Sequence, residues 1–147
     1  MLSIYGMFYN GIGDGVSGEQ VLTLAHTIAP KKQNLSFILI RSYLIERKFS
    51  EAYQLAQETY DLAPAFGDAA KWYVLSAVYN SKFEEARARI AARGQTIPFD
   101  NDVLGALVST GQISLAIQML QDLKKTNPQY GPQVDAYIKQ ILAQPKK

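Results

Sequence analysis

Prolines stand at positions 30, 64, 98 and 128, at successive spacings of 34, 34 and 30. A chain that repeats itself at such a period is constrained to build a stack of like units, each covering the apolar face of the next. The first two prolines close the same phrase, Thr27-Ile28-Ala29-Pro30 and Asp61-Leu62-Ala63-Pro64. Other columns keep the register. Tyr9 and Tyr43 are 34 apart, and Ala52, Ala86 and Ala116 each follow Phe49, Phe83 or Ile113 by three positions.

Within one period the apolar spacing is helical twice, with a break between the halves. In residues 33–66, Leu35, Leu39, Tyr43 and Leu44 form one stripe, Arg47-Lys48 marks the break, and Phe49, Ala52, Leu55, Ala56 and Leu62 form the second. Pro64 then ends the second helix, because proline lacks an N–H and disfavours helical backbone at the residue before it. The unit is a helix hairpin, and the fold class is all-α.

These columns resemble the tetratricopeptide repeat (TPR) family, and the resemblance runs over roughly residues 1 to 130. Gly6, Tyr9, Gly13, Asp14, Ala25 and Pro30 match its pattern in the first unit; Leu39, Tyr43, Phe49, Glu51, Ala52, Leu62 and Pro64 match in the second. The third supplies Trp72, Leu75, Tyr79, Phe83, Glu85 and Ala86, with a turn two residues shorter than the family's. The fourth supplies Gly111, Ile113, Ala116 and Asn127-Pro128, with a first helix about one turn short. The resemblance implies an α-solenoid of antiparallel helix pairs wound into a right-handed superhelix. The chain then reads as one domain, 1–147, with repeats at about 1–32, 33–66, 67–100 and 101–130 and a capping helix at 131–144. Pro132 suits the first turn of that helix, Val134, Tyr137, Ile138, Ile141 and Leu142 are its apolar stripe, and Asp135, Lys139 and Gln140 its polar side. Gln144 to Lys147 read as a frayed tail. The run from Gly6 to Ala29-Pro30-Lys31-Lys32 and the irregular last repeat are also similar to TPR segments appended to large bacterial membrane proteins related to O-antigen ligases. That likeness implies a soluble bacterial module, cytoplasmic or extracytoplasmic, excised from a longer protein.

Composition narrows function further. At 147 residues and 48% hydrophobic the chain can bury a core without disulfides, and it has no cysteine. Cysteine nucleophiles and thiolate metal sites are therefore excluded. Thirteen acidic against fifteen basic side chains, net +2, argue against nucleic acid as a partner. No apolar run approaches the roughly 20 residues of a membrane span, and Met1 to Asn10 has no Lys or Arg to open a signal peptide.

Each motif that could carry chemistry has a plainer reading. Gly13-Asp14-Gly15-Val16-Ser17-Gly18 has the G-x-G-x-x-G form, with Leu2 to Tyr9 readable as a preceding strand. A dinucleotide site also needs an acid about 20 residues on, yet after Glu19 the next is Glu46. The repeat makes Gly13-Asp14 a turn between helices and leaves Gly15 and Gly18 as a loose turn. His26 is the only histidine and reads as a surface or half-buried side chain. Glu85 and Arg89 read as an i, i+4 pair, and Asp100 as a helix-start residue. Arg87, Arg89 and Arg93 read as a solvated face, and Asn34-Leu35-Ser36 as a sequon form at a helix start. No catalytic residue, metal or cofactor is expected.

The TPR resemblance implies that first helices line a concave groove. Its positions fall on Ser3, Met7 and Asn10, then Phe37, Arg41 and Leu44, then Tyr73, Ala77 and Asn80, and finally Asn101, Gly105 and Val108. That mixture suits a peptide or protein segment held by apolar anchors, and a single cation, Arg41, is too few for a carboxylate clamp. The alternative is that Phe37 and Tyr73 pack between repeats. At the N-terminal side, Leu2, Tyr5, Met7 and Phe8 have no polar element before them. Either the chain was cut from a longer one or Leu2, Tyr5 and Phe8 are meant to be covered, as in a homo-oligomer or filament. A non-catalytic interaction module is thus the expected function, with structural self-assembly as the alternative.

Overall fold

The computed structural model describes residues 1–65 and 67–143. Among them the chain is all-helical, with nine α-helices. They are α1 (Leu2–Gly11), α2 (Gly15–Ile28), α3 (Gln33–Ile45), α4 (Phe49–Leu62), α5 (Gly67–Tyr79), α6 (Phe83–Ala91), α7 (Asn101–Ser109), α8 (Ile113–Thr126) and α9 (Gly131–Leu142), with a single 3₁₀ turn, Pro128–Tyr130, before the last. The chain divides into two compact units, Met1–Ile97 and Pro98–Lys147. The expected end of the capping helix at 144, and the tail after it, lie outside the described residues.

The hairpin turns carry the repeat in the backbone itself. Gly13, Arg47, Ser81 and Gly111 all have positive φ, at 80°, 57°, 57° and 76°, and they follow one another at the same spacings as the prolines. The residue after each donates its N–H five positions back: Asp14 to Tyr9 at 2.9 Å, Lys48 to Tyr43 at 2.8 Å, Lys82 to Ala77 at 2.7 Å and Gln112 to Leu107 at 2.8 Å. This is the Schellman closure of a helix C-terminus, which needs one residue in the left-handed region. The next helix starts at once. In the first hairpin Asp14 caps it, accepting from Ser17 N at 3.0 Å.

The other ends also recur. Ala29, Ala63 and Asn127 all leave the helical region the same way, with φ of −139°, −152° and −136° and ψ of 67°, 77° and 76°, since the residue before a proline is disfavoured in helical backbone. The third hairpin departs from this pattern. Its second helix has 9 residues where α4 has 14, because Gly94, at φ 70°, turns the chain early. Gln95 then accepts from the Tyr60 hydroxyl at 2.8 Å and donates to the Pro64 carbonyl at 2.9 Å.

In the first unit each helix packs on its chain neighbour, and the first helices also touch one another, α1 on α3 and α3 on α5. Leu22, Ile40, Ala52, Ala56, Tyr60, Tyr73, Val74 and Ile90 are fully buried between them. The close approach of α1 and α2 depends on small residues. A Cβ on Gly6 would lie 2.4 Å from Leu22, and one on Gly18 would lie 2.6 Å from Asn10 Oδ1. Leu2 to Tyr9 is thus helix rather than strand, and Gly15 and Gly18 are helical residues of α2 rather than a loose turn. Without the strand, the dinucleotide reading loses its frame.

The second unit packs α7 on α8 and α8 on α9. Asp100 caps α7, accepting from Asp102 N at 2.8 Å and Val103 N at 3.2 Å. Val134 and Ile141 of α9 are buried, while Tyr137 and Leu142, expected in the same stripe, are exposed. Lys124 donates to both oxygens of Asp135 at 2.8 Å.

Candidate functional site

The expected groove residues divide sharply by burial. Asn10, Phe37 and Tyr73 are 3%, 6% and 0% exposed, and Ala77 is fully buried with them. They are packing residues between helices, so the second of the two readings of Phe37 and Tyr73 describes them. Met7, Arg41 and Asn101 are exposed, and Leu44 and Asn80 are half-buried. Met7 and Arg41 share one repeat position on the touching helices α1 and α3. Asn101 opens α7 in the second unit.

Asn10 has a structural task. Its Nδ2 donates to the Ile38 carbonyl at 2.9 Å, and its Oδ1 accepts from the Ser42 hydroxyl at 2.8 Å. The amide thereby joins α1 to α3, with Gly18 of α2 leaving the space for it.

Tyr73 sits at the middle of a stack. Its ring lies 5.5 Å from that of Tyr53 and 5.3 Å from that of Tyr60. Lys82 lies against the ring of Tyr53 at 4.6 Å and Arg93 against that of Tyr60 at 4.9 Å, so each outer ring offers its negative face to a cation. The Tyr53 hydroxyl donates to Glu85 at 2.8 Å and lies 3.3 Å from that of Tyr73. Burial first, then these hydrogen bonds, push the Tyr53 phenol far above its usual range, and burial raises Tyr73 as well. The ordinary state of both is the neutral phenol.

This geometry corrects the charge pattern expected from spacing. Glu85 accepts from the Tyr53 hydroxyl rather than pairing with Arg89, which reaches across to Asp61 together with Arg93. Arg87 pairs with Glu84 at 2.7 Å. The three arginines thus have acidic partners and form no open basic patch among the described residues.

The chain matches no known family, curated protein or solved structure.

The strongest surface feature is apolar. On α1 and the Ile12 that follows it, Ile4, Tyr5, Phe8 and Ile12 are 68%, 51%, 60% and 64% exposed. At about 100° per residue they fall within one third of the helix circumference, opposite the buried Gly6 and Asn10. Of these, Tyr5 and Phe8 are legible in the sequence as an uncovered surface. Ile4 and Ile12, at i, i+4, i+8 spacing with Phe8, extend that surface by two residues. Leu2 is half-buried and lines a hollow of about 850 Å³ with Ala25, Ile28, Gln33 and Leu35. Gln33 Nε2 and His26 Nδ1 are buried without a hydrogen-bond partner among the described residues. No helix among those residues is long and apolar enough to cross a membrane.

Proposed function

We propose that this chain is a non-catalytic protein-interaction module of the tetratricopeptide type, an α-solenoid that holds a peptide or protein segment against its first helices. The observation that carries the reading is the recurrence of one turn geometry at Gly13, Arg47, Ser81 and Gly111, with its N–H bond five residues back each time. A repeat written in backbone as well as side chains sets equivalent residues of successive first helices side by side. In the first unit, Met7 and Arg41 then form one accessible row on α1 and α3, with half-buried Leu44 three residues on from Arg41; in steps of 34 the α5 members of that row are Leu75 and Val78, both buried, rather than the expected Ala77 and Asn80. An apolar side chain beside a cation suits a segment that offers an apolar anchor and a negative charge.

The test is selection of a displayed peptide library on the immobilised protein, followed by calorimetry of the enriched sequence. Met7→Glu and Arg41→Glu, both at exposed positions, are expected to weaken it at least about tenfold with the melting temperature unchanged. A library that yields no consensus, or a consensus bound equally by both variants, refutes the reading.

A further inference from the structure

We propose that Tyr53 is a redox-active tyrosine, which gives an electron to a one-electron oxidant such as a peroxyl radical while its phenolic proton passes to Glu85. The repeat itself does not require the tyrosine cluster in which Tyr53 stands. Tyr53, Tyr60 and Tyr73 correspond, one period of 34 earlier, to Glu19, His26 and Leu39. Leu39 is 2% exposed, so the second hairpin is buried against the first without three phenols. Where the phenols do stand, the ring of Tyr73 lies 5.5 Å from Tyr53 and 5.3 Å from Tyr60. Of the three, Tyr53 alone is bonded to a carboxylate among the described residues, donating to Glu85 at 2.8 Å. The Tyr60 hydroxyl ends on the Gln95 amide oxygen, which accepts a hydrogen bond but is no base.

Electrostatics require the electron and the proton to leave together. Oxidising a phenol that keeps its proton puts a positive charge on the ring. Burial disfavours that charge, and Lys82, 4.6 Å from the Tyr53 ring centroid, repels it. Arg93 does the same to Tyr60 at 4.9 Å, where no base offers relief. Nor does the proton leave first, since burial and hydrogen bonding hold the Tyr53 phenol neutral. Concerted transfer avoids both charged states. The Tyr53 phenol and the Glu85 carboxylate become a neutral phenoxyl radical and a carboxylic acid, and the oxidant is reduced by one electron. The O–H bond that breaks already points at its acceptor, within the hydrogen-bond reach that general-base transfer needs. Glu85 is exposed and hands the proton on to water. Because the Tyr53 proton is directed to Glu85, the Tyr73 hydroxyl at 3.3 Å is the donor of their contact, and it goes on donating to the phenoxyl oxygen. At 5% exposure, the radical is shielded from coupling with a second chain.

A failure of the peptide selection leaves this site untouched. The test is photo-oxidation of the intact chain by tris(bipyridine)ruthenium(III), generated with a laser flash in the presence of persulfate. Phenoxyl absorption is followed in time and the radical is identified by electron paramagnetic resonance. Radicals on exposed rings such as Tyr5 and Tyr130 meet other chains and decay by coupling, whereas the Tyr53 radical should persist. Tyr53→Phe should abolish the persistent component. Glu85→Gln keeps an acceptor oxygen for the phenol but no base, and should slow formation of that component at least about tenfold. Tyr60→Phe, which removes a hydroxyl without a carboxylate partner, should leave its rate and yield unchanged. Circular dichroism checks the fold of every variant. A parent chain that forms no persistent phenoxyl radical overturns the proposal. So does a persistent radical undiminished by Tyr53→Phe, one formed as fast in Glu85→Gln as in the parent, or one removed equally by Tyr60→Phe.

Discussion

Replacing Arg47 and Ser81 by glycine should make the chain more stable. Both residues are held at φ 57° in turns where Gly13 and Gly111 occupy the equivalent places. A side chain with a Cβ costs roughly 1–2 kcal/mol in this region. Both side chains are exposed, so little packing is lost on removing them. Glycine offsets roughly 0.5–1 kcal/mol of the gain through the greater freedom of the unfolded chain. The net expectation is a gain of about 0.5–1 kcal/mol at each site, additive because the two turns share no contact. The reverse change supplies the control. A Cβ on Gly13 would meet nothing within 4 Å, so Gly13→Ala isolates the backbone cost and should lose about 1 kcal/mol. Urea unfolding followed by circular dichroism reads all three, with a constant slope showing that only stability changed. An unchanged or lowered midpoint for Arg47→Gly and Ser81→Gly, beside a neutral Gly13→Ala, would refute the left-handed turn as the shared device of the repeat.

Asn10→Ala should cost about 1 kcal/mol by removing the amide that joins α1 to α3, with the Ser42 hydroxyl left to its longer bond to the Ile38 carbonyl at 3.3 Å. Gly18→Ala should cost a similar amount by forcing a methyl against the Asn10 amide. The double variant should lose less than the sum of the two, because removing the amide makes room for the methyl; strict additivity in thermal unfolding would count against this packing. The hydrogen bond from Ser17 holds the Asp14 carboxyl below the usual carboxylate range. Its contribution is therefore complete above about pH 4 and lost as pH falls through the lowered value. Asp14→Asn should flatten that part of the acid stability curve, and a curve identical to the parent's would argue against the cap.

Much of the architecture was legible because helix hairpins write themselves in short-range patterns. Pro30, Pro64 and Asn127-Pro128 mark real helix ends, and the break at Arg47-Lys48 is a real turn. The shortened first helix of the fourth unit was visible from spacing alone. The candidate surface was less legible, because burial depends on partners far along the chain. Nothing local distinguishes Asn10, which bonds partners 28 and 32 positions away, from an asparagine facing a groove. Tyr73 is likewise placed by Tyr53 and Tyr60 of another helix. Gly18 looked like loop punctuation, since its role is room for a side chain that the linear pattern cannot bring near. Arg89 satisfied a helical spacing rule with Glu85, and a cross-helix acid, Asp61, took it instead.

The trimmed helix α7 has a bearing on how such a chain changes length. α3, α5 and α7 begin in step with the repeat, at Gln33, Gly67 and Asn101, but α7 has 9 residues against 13 in each of the others. Four residues amount to slightly more than one helical turn, about 6 Å of axis and a rotation of only about 40°. Val103, Leu104, Ala106 and Leu107 accordingly remain buried, at the distances from the turn that Leu39, Ile40, Ser42 and Tyr43 keep in α3. The loss in this first helix is thus one whole turn. Gaining or losing four residues at a stroke preserves the inward face, whereas a gain or loss of two would swing it toward solvent.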